Sequence, residues 1–369
     1  MPGKETTVVI CIDGFDPEYL NACTVPNLRE VAQKGFLTFG KSMMPSVTNV
    51  NNVSILTASY PEIHGISSNY RLVRETGEEI YMESSEYILA ETMFQKARGK
   101  GIDSLLVTSK DKLRTLLSRG ATVTVSSEQA PDNVVSAVGK APPIYSLEVN
   151  GWVIRAGTYL MGQMDAGIVY LTTTDYAMHT YAPDMPESQQ HMKILDDAIG
   201  DLLTAFPDVT LMISADHGMS SKSKMVDLSA ELAKYKIEGL SVPIIKDKYV
   251  VHHSNLGGCM FIYLSDVAKS DAAKKVLEVT PGVEKVYMRD EASSVLRLYY
   301  ERIGDLVVTG DPQTVFGSPN EVALPSGLRS HASTHEQNIP IIGYNGDFST
   351  FQFGENRDVG RFVFERILA

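Results

Sequence analysis

Ile213-Ser214-Ala215-Asp216-His217-Gly218-Met219 is the stretch that decides how this chain folds. The apolar run Val209 to Ile213 stops at an adjacent carboxylate and imidazole, and a glycine follows. A buried parallel strand that delivers ligands from its C-terminal tip has this pattern, because open α/β sheets place their sites along that edge. One Asp-His pair is weak by itself, since surface loops produce the dipeptide by chance. Three further places repeat the motif. Thr6 to Ile12 is continuous and β-branched and ends at Asp13-Gly14; Gly167 to Leu171 runs into Asp175 and His179; His331 precedes the last apolar run, Asn338 to Gly343. Together they supply three carboxylates and three imidazoles, about what two zinc-like ions need.

The expected fold is α/β, with a mostly parallel central sheet sandwiched by helices. Residues 1–220 and 327–369 would form this core. In 221–326 apolar segments alternate with a charged helix, which predicts a smaller inserted α+β lobe capping the C-terminal edge of the sheet. Residues 120–150 carry Pro131, Pro142 and Pro143 and read as an irregular excursion from the sheet. His252 and His253 fall in a strand-like stretch, so at most one faces inward, and lobe polarity accounts for them.

A chain of 369 residues can bury a large core in two domains, or in one with an inserted lobe. Apolar content of 43% and charged content of 21% are ordinary for a globular protein. A net charge of -12, with no Lys/Arg run longer than two, argues against nucleic acid. An acidic protein that handles an anion must concentrate positive charge locally, and bound metal ions do so. Cys11, Cys23 and Cys259 are odd in number and widely spaced, so no disulfide framework is expected. Met1 to Glu5 leads straight into a strand with no signal-peptide core. No apolar run approaches the ~20 residues of a membrane span. A cytoplasmic protein without a membrane partner is the expectation.

Between these strands, Pro45 to Thr57 predicts a helix beginning near Thr48. By position alone Thr48 is its N-cap. The other reading holds its hydroxyl over the positive helix end and against a metal, ionised enough to attack phosphorus. Ser109 predicts a second cap, which puts Lys110 and Lys112 in a first helical turn, where each cation costs a few tenths of a kcal/mol. They read either as an anion receptor, together with free backbone N–H groups, or as a solvated basic face. Asp175 and His179, four apart, share one side of a helical turn and can reach one ion. His64, beside a Gly turn, reads as structural; His191, on the amphipathic helix Glu187 to Phe206, reads as a surface residue.

Taken as a set, Asp13-Gly14, the block Pro45 to Ile66, Asp175-x-x-x-His179 and Ser214 to Met219 resemble the alkaline phosphatase superfamily. More closely they are similar to its nucleotide pyrophosphatase/phosphodiesterase-like branch, whose nucleophile is a threonine. The correspondence spans nearly the whole chain in the family's order. Lys110, Lys112 and Asn69 further resemble the phosphonoacetate hydrolase family.

The resemblance implies that Asp175, His179 and His331 hold one ion, and Asp13, Asp216, His217 and the Thr48 oxygen the other. Two Zn2+ are the expected cofactors, with Mn2+ or Fe2+ as alternatives. It also implies that Asn51 contacts a phosphoryl oxygen, and that Lys110, Lys112 and Asn69 hold the substrate. Relatives usually show His-Gly-Gly where this chain has His331-Ala332-Ser333, and His335 is the only substitute for His331. The expected function is hydrolysis of phosphonoacetate to acetate and phosphate, with Thr48 as nucleophile. A phosphodiesterase or nucleotide pyrophosphatase on the same site is the rival, with Tyr263, Tyr299 and Tyr300 as a base slot. A sulfatase would need a Cys/Ser-x-Pro-x-Arg segment, which the chain lacks. A non-catalytic metal or phosphonate binder is the third reading. The expected partner is a small anionic phosphonate, with neither nucleic acid nor membrane; a homodimer stays open.

Overall fold

The computed structural model describes residues 6–369, so the reading of Met1 to Glu5 lies outside the described residues. Six strands enter the central sheet before the chain's last: β1 (Thr7–Cys11), β2 (Phe36–Lys41), β3 (Asp103–Thr108), β4 (Val123–Ser126), β5 (Ala166–Thr172) and β6 (Thr210–Ser214). The last is Asn338–Tyr344. Across the sheet the order is β2, Asn338–Tyr344, β6, β1, β5, β3, β4. Asn338–Tyr344 runs antiparallel to both neighbours, and β6, β1, β5, β3 and β4 run parallel to one another. β1, β5 and β6 are buried along their whole length, which is why they read as unbroken apolar runs instead of alternating ones.

Register places the site. Cys11 lies opposite both Thr172 and Ser214, and Thr172 lies opposite Thr108. Four strands therefore end level, and Asp13, Lys110, Asp175 and Asp216 all leave the sheet at one edge within three residues of a strand end. The helix Thr48–Thr57 is buried on every side, so no polar stripe marks it in the sequence.

Residues 120–150 depart from expectation. Val123–Ser126 is the edge strand of the sheet, paired with β3, and Asp132–Val138 is helical. Pro131 falls between these pieces, and Pro142 and Pro143 fall after the helix.

Beyond β6, a second sheet of Gly239–Pro243, Cys259–Leu264, Leu306–Gly310 and Val283–Met288 is antiparallel throughout. Its strand Cys259–Leu264 alternates in the expected way. Met260, Ile262 and Leu264 pack under the helices Leu228–Ala233 and Ser270–Glu278, where Leu232 and Leu277 join them. Cys259, Phe261 and Tyr263 point the other way, into the main core. The link between its first two strands, residues 244–258, is irregular and buries both His252 and His253.

Candidate metal centre

Level strand ends bring the predicted donors together. Asp13, Asp216 and His217 offer ligand atoms within 4.8 Å of one another; so do Asp175, His217 and His331, and Asp175, His179 and His252. His217 and His331 stack in parallel with ring centroids 3.6 Å apart, and His331 lies 5.2 Å from His179. All six expected side chains are buried.

The hydrogen bonds fix which atom each imidazole presents. The Nδ1–H of His179 donates to the Arg329 carbonyl at 2.6 Å, that of His331 to Ser46 at 2.7 Å, and that of His217 to Gly218 at 2.9 Å. A carbonyl only accepts, so Nδ1 carries the proton and Nε2 turns a lone pair into the cluster. Metal-bound histidines are oriented by such partners. Asp216 Oδ1 is fixed by the N–H groups of Gly14 and His217, at 3.1 and 3.0 Å.

The donor set suits divalent cations on two counts. Both Asp13 oxygens and His179 Nε2 are buried without a hydrogen bond among the described residues, an arrangement that costs about 1–3 kcal/mol per group unless another ligand satisfies it. Charge is the second. Burial, with Asp175 and Asp216 nearby, pushes the Asp13 carboxyl well above its ordinary value; burial and Asp175 push Asp216 up to about 7. Burial lowers the pKa of His217 and of His331, which favours the neutral imidazole whose Nε2 offers a lone pair. Neutral imidazoles and crowded carboxylates are the ligand states that zinc, manganese or iron take.

Thr48 opens its helix as the first helical residue, Val47 being the N-cap, so the capping reading gives way. Its Oγ1 lies 3.4 Å from His217 Nε2, at the positive end of the helix and against the cluster. Asn69 accepts the Asn49 N–H at that helix start, 3.1 Å away.

Asn51 corrects the expectation. Its Oδ1 accepts from Met43 N–H and Asn356, and its Nδ2 faces the carbonyls of Met43, Pro45 and Val47. An amide so committed braces the loop before Thr48 and has no group left for a phosphoryl oxygen.

Lys110, not Ser109, is the N-cap residue of the helix Asp111–Leu117. Its Nζ lies 3.3 Å from Asp175 Oδ1, in the centre itself. Burial alone would lower its pKa, but Asp175, Asp13 and Asp247 raise it above the ordinary lysine value. Lys112 is equally buried and pairs with Asp247. Neither is a solvated face.

Two histidine expectations fail. Residues 250–255 form turns instead of a strand, so the alternation that would send one of His252 and His253 outward does not apply. His252 Nε2 lies 3.3 Å from Asp175 Oδ1, and His253 Nε2 lies 3.2 Å from Asp247 Oδ1. Only the adjacency of two histidines hinted at this. His191 is buried, with Nδ1 donating to the Leu147 carbonyl at 3.0 Å, and burial lowers its pKa to about 4. His64 is held by Ser54 and the Ile66 N–H, away from the donor groups. His335 pairs with Glu284 at 2.8 Å, outside the cluster that holds His331.

Ala332 adopts φ +89°, where glycine is at home and an L side chain is strained by about 1–3 kcal/mol. Ala332→Gly is therefore expected to raise the melting temperature by a few degrees, measured by scanning calorimetry. An unchanged or lower value would show that the strain is absorbed elsewhere.

Comparison with known proteins follows the same lines. The sequence profile described as type I phosphodiesterase / nucleotide pyrophosphatase matches residues 7–336. Crystal structures of phosphonoacetate hydrolase from Sinorhizobium meliloti, in complex with phosphonoacetate and with phosphonoformate, are 31% identical to this chain. Each covers 100% of it and 96% of its own chain, with a TM-score of 0.91. A pyrophosphatase/phosphodiesterase of Schizosaccharomyces pombe is 26% identical over 247 residues, 60% of this chain and 46% of its own length. A bis(5'-adenosyl)-triphosphatase of Mus musculus is 23% identical over 235 residues, 60% of this chain and 49% of its own. The matched stretch thus spans about half the length of these curated relatives. No helix among the described residues is long and apolar enough to cross a membrane.

Proposed function

The chain belongs to the type I phosphodiesterase / nucleotide pyrophosphatase family of the alkaline phosphatase superfamily, and from that premise we propose that it hydrolyses phosphonoacetate to acetate and phosphate. The observation that carries the substrate is a pair of buried ammonium groups, Lys110 and Lys112, set beside the donor cluster on one short helix. The alkoxide leaving group of a simple phosphoester brings no carboxylate for them to hold. Asp175, His179 and His331 would hold one divalent cation and Asp13, Asp216, His217 and Thr48 the other, zinc by preference, supplying Lewis-acid stabilisation of charge on the phosphoryl oxygens.

Thr48 is the nucleophile of this reading. Its oxygen attacks phosphorus as the C–P bond breaks, and the bonding pair leaves with the CH2 carbon. An alkyl carbanion is too unstable a leaving group, but a carboxylate next to it delocalises the pair into an enediolate. Positive charge at the carboxyl oxygens is then worth most as the bond breaks, which is the task of Lys110 and Lys112. Asn69, fixed through Asn49 at the helix start, orients the phosphonate. The proton given up by the Thr48 hydroxyl balances the one taken by the CH2 carbon to give acetate, and water then hydrolyses the phospho-threonine, restoring the hydroxyl and releasing phosphate.

Diester or pyrophosphate hydrolysis on the same cluster is the second reading, favoured by the family match. Each tyrosine of the expected base slot already has an arginine over its ring, however. Arg74 lies over the Tyr263 ring at 5.6 Å, Arg302 over Tyr299 at 5.3 Å, and Arg289 over Tyr300 at 5.5 Å. Phosphate release from phosphonoacetate, compared with cleavage of bis(p-nitrophenyl) phosphate, separates the two. The proposal expects C–P cleavage to dominate; diester turnover without any phosphate from phosphonoacetate contradicts it.

A further inference from the structure

The loop that joins the first two strands of the smaller sheet lays a carboxylate on Lys112. Asp247 is buried; one of its oxygens pairs with Lys112 Nζ. The other accepts the Tyr249 N–H at 2.7 Å and lies 3.2 Å from His253 Nε2. The Tyr249 ring covers both ammonium groups, 5.5 Å from Lys110 and 5.4 Å from Lys112. Its hydroxyl donates to Glu128 at 2.7 Å, on the same carboxylate oxygen that receives the Asp111 N–H at 2.6 Å. The loop is thus tied down over the helix that bears the lysines. Near its end Ser254 and Asn255 adopt φ +50° and +56°, a backbone region that non-glycine residues rarely occupy.

Each ammonium group therefore faces a carboxylate of the chain itself, Asp175 for Lys110 and Asp247 for Lys112. Building on the reading that Lys112 receives the substrate carboxylate, we propose that Asp247 is the built-in occupant of that carboxylate subsite, which a substrate carboxylate must displace from Lys112, and that it thereby sets the affinity for carboxylate-bearing substrates. Trading one carboxylate for another keeps Lys112 paired throughout, and Asp247 retains Tyr249 N–H and His253 after the trade. A phosphoryl compound without a carboxylate has nothing to trade and leaves the Lys112–Asp247 pair in place, because breaking it would leave the ammonium group buried and unpaired. Burial alone would raise the Asp247 pKa, but Lys112 and His253 hold its carboxyl well below the usual range, so it is the anion that such an exchange requires.

Asp247→Asn, which keeps shape and removes charge, tests this. The KM for phosphonoacetate is expected to fall about tenfold relative to the KM for bis(p-nitrophenyl) phosphate, because Lys112 loses its competitor. In a Lys112→Gln background the same substitution should no longer move that ratio. A ratio that stays put, or shifts against phosphonoacetate, in folded Asp247→Asn protein overturns the proposal; Asp247→Ser serves for the comparison where the Asn variant does not fold. Wild-type protein that releases no phosphate from phosphonoacetate rejects the function above by itself. Asp247 is then judged by malonate as an inhibitor of diester cleavage, whose Ki falls in the variant if the exchange occurs and holds steady if it does not.

Discussion

Thr48→Ala is expected to lower kcat for phosphate release from phosphonoacetate by about 10⁴-fold or more, the scale of losing a nucleophile, while bound metal changes little. The hydroxyl is buried against His217 at the helix N-terminus, and no other described hydroxyl lies within hydrogen-bond range of that Nε2. Helix formation does not depend on it, because Val47 is the N-cap and the Thr48 side chain makes no capping bond. The variant should therefore fold normally and load metal through the remaining aspartates and histidines. Stopped assays for phosphate, with metal content measured on the same samples, check both halves. A loss smaller than tenfold would leave Thr48 as a metal-positioning group and move the attack to water.

Lys110→Ala/Lys112→Ala carries the second large effect. Phosphonoacetate turnover should fall about 10²- to 10³-fold, as when a preorganised donor to developing charge is removed, and diester cleavage should fall far less. The buried pairs complicate stability. Removing Lys112 leaves Asp247 facing only His253 and backbone, and orphaning one partner of a buried pair costs about 3–5 kcal/mol. Lys112→Gln, which keeps a donor near Asp247, is the control that separates lost charge from lost fold. Equal losses on both substrates would assign the lysines a structural role.

How far the sequence could be read follows from where the information lay. β1, β5 and β6 are buried on both faces, so their apolar runs stand out and end where the clustered carboxylates and imidazoles begin. Asp13, Asp175, His179, Asp216 and His217 were legible for that reason. His331 was counted beside the last apolar run, but its choice over His335 rested on resemblance to a family, since no long strand introduces it; Arg329–Ser330 is a two-residue pairing with Ser220–Ser221.

Local pattern misled where distant contacts decide. His191 sits on an amphipathic helix, and its burial comes from the Leu147 carbonyl and Asn150 on the facing segment. His252 and His253 look like strand residues until the turns at 250–255 cancel the period of two. Asn51 occupies the right helical position for substrate, yet Asn356, from the far end of the chain, takes its Oδ1. Asp247 carried no signal at all: its meaning is Lys112, 135 residues away.

The most direct test is to count ions. Purified protein equilibrated with zinc, dialysed and measured by inductively coupled plasma mass spectrometry should hold two per chain, with Asp13→Asn and His331→Ala each retaining about one. A chain that retains no transition metal and keeps full turnover in the presence of chelator would contradict the account.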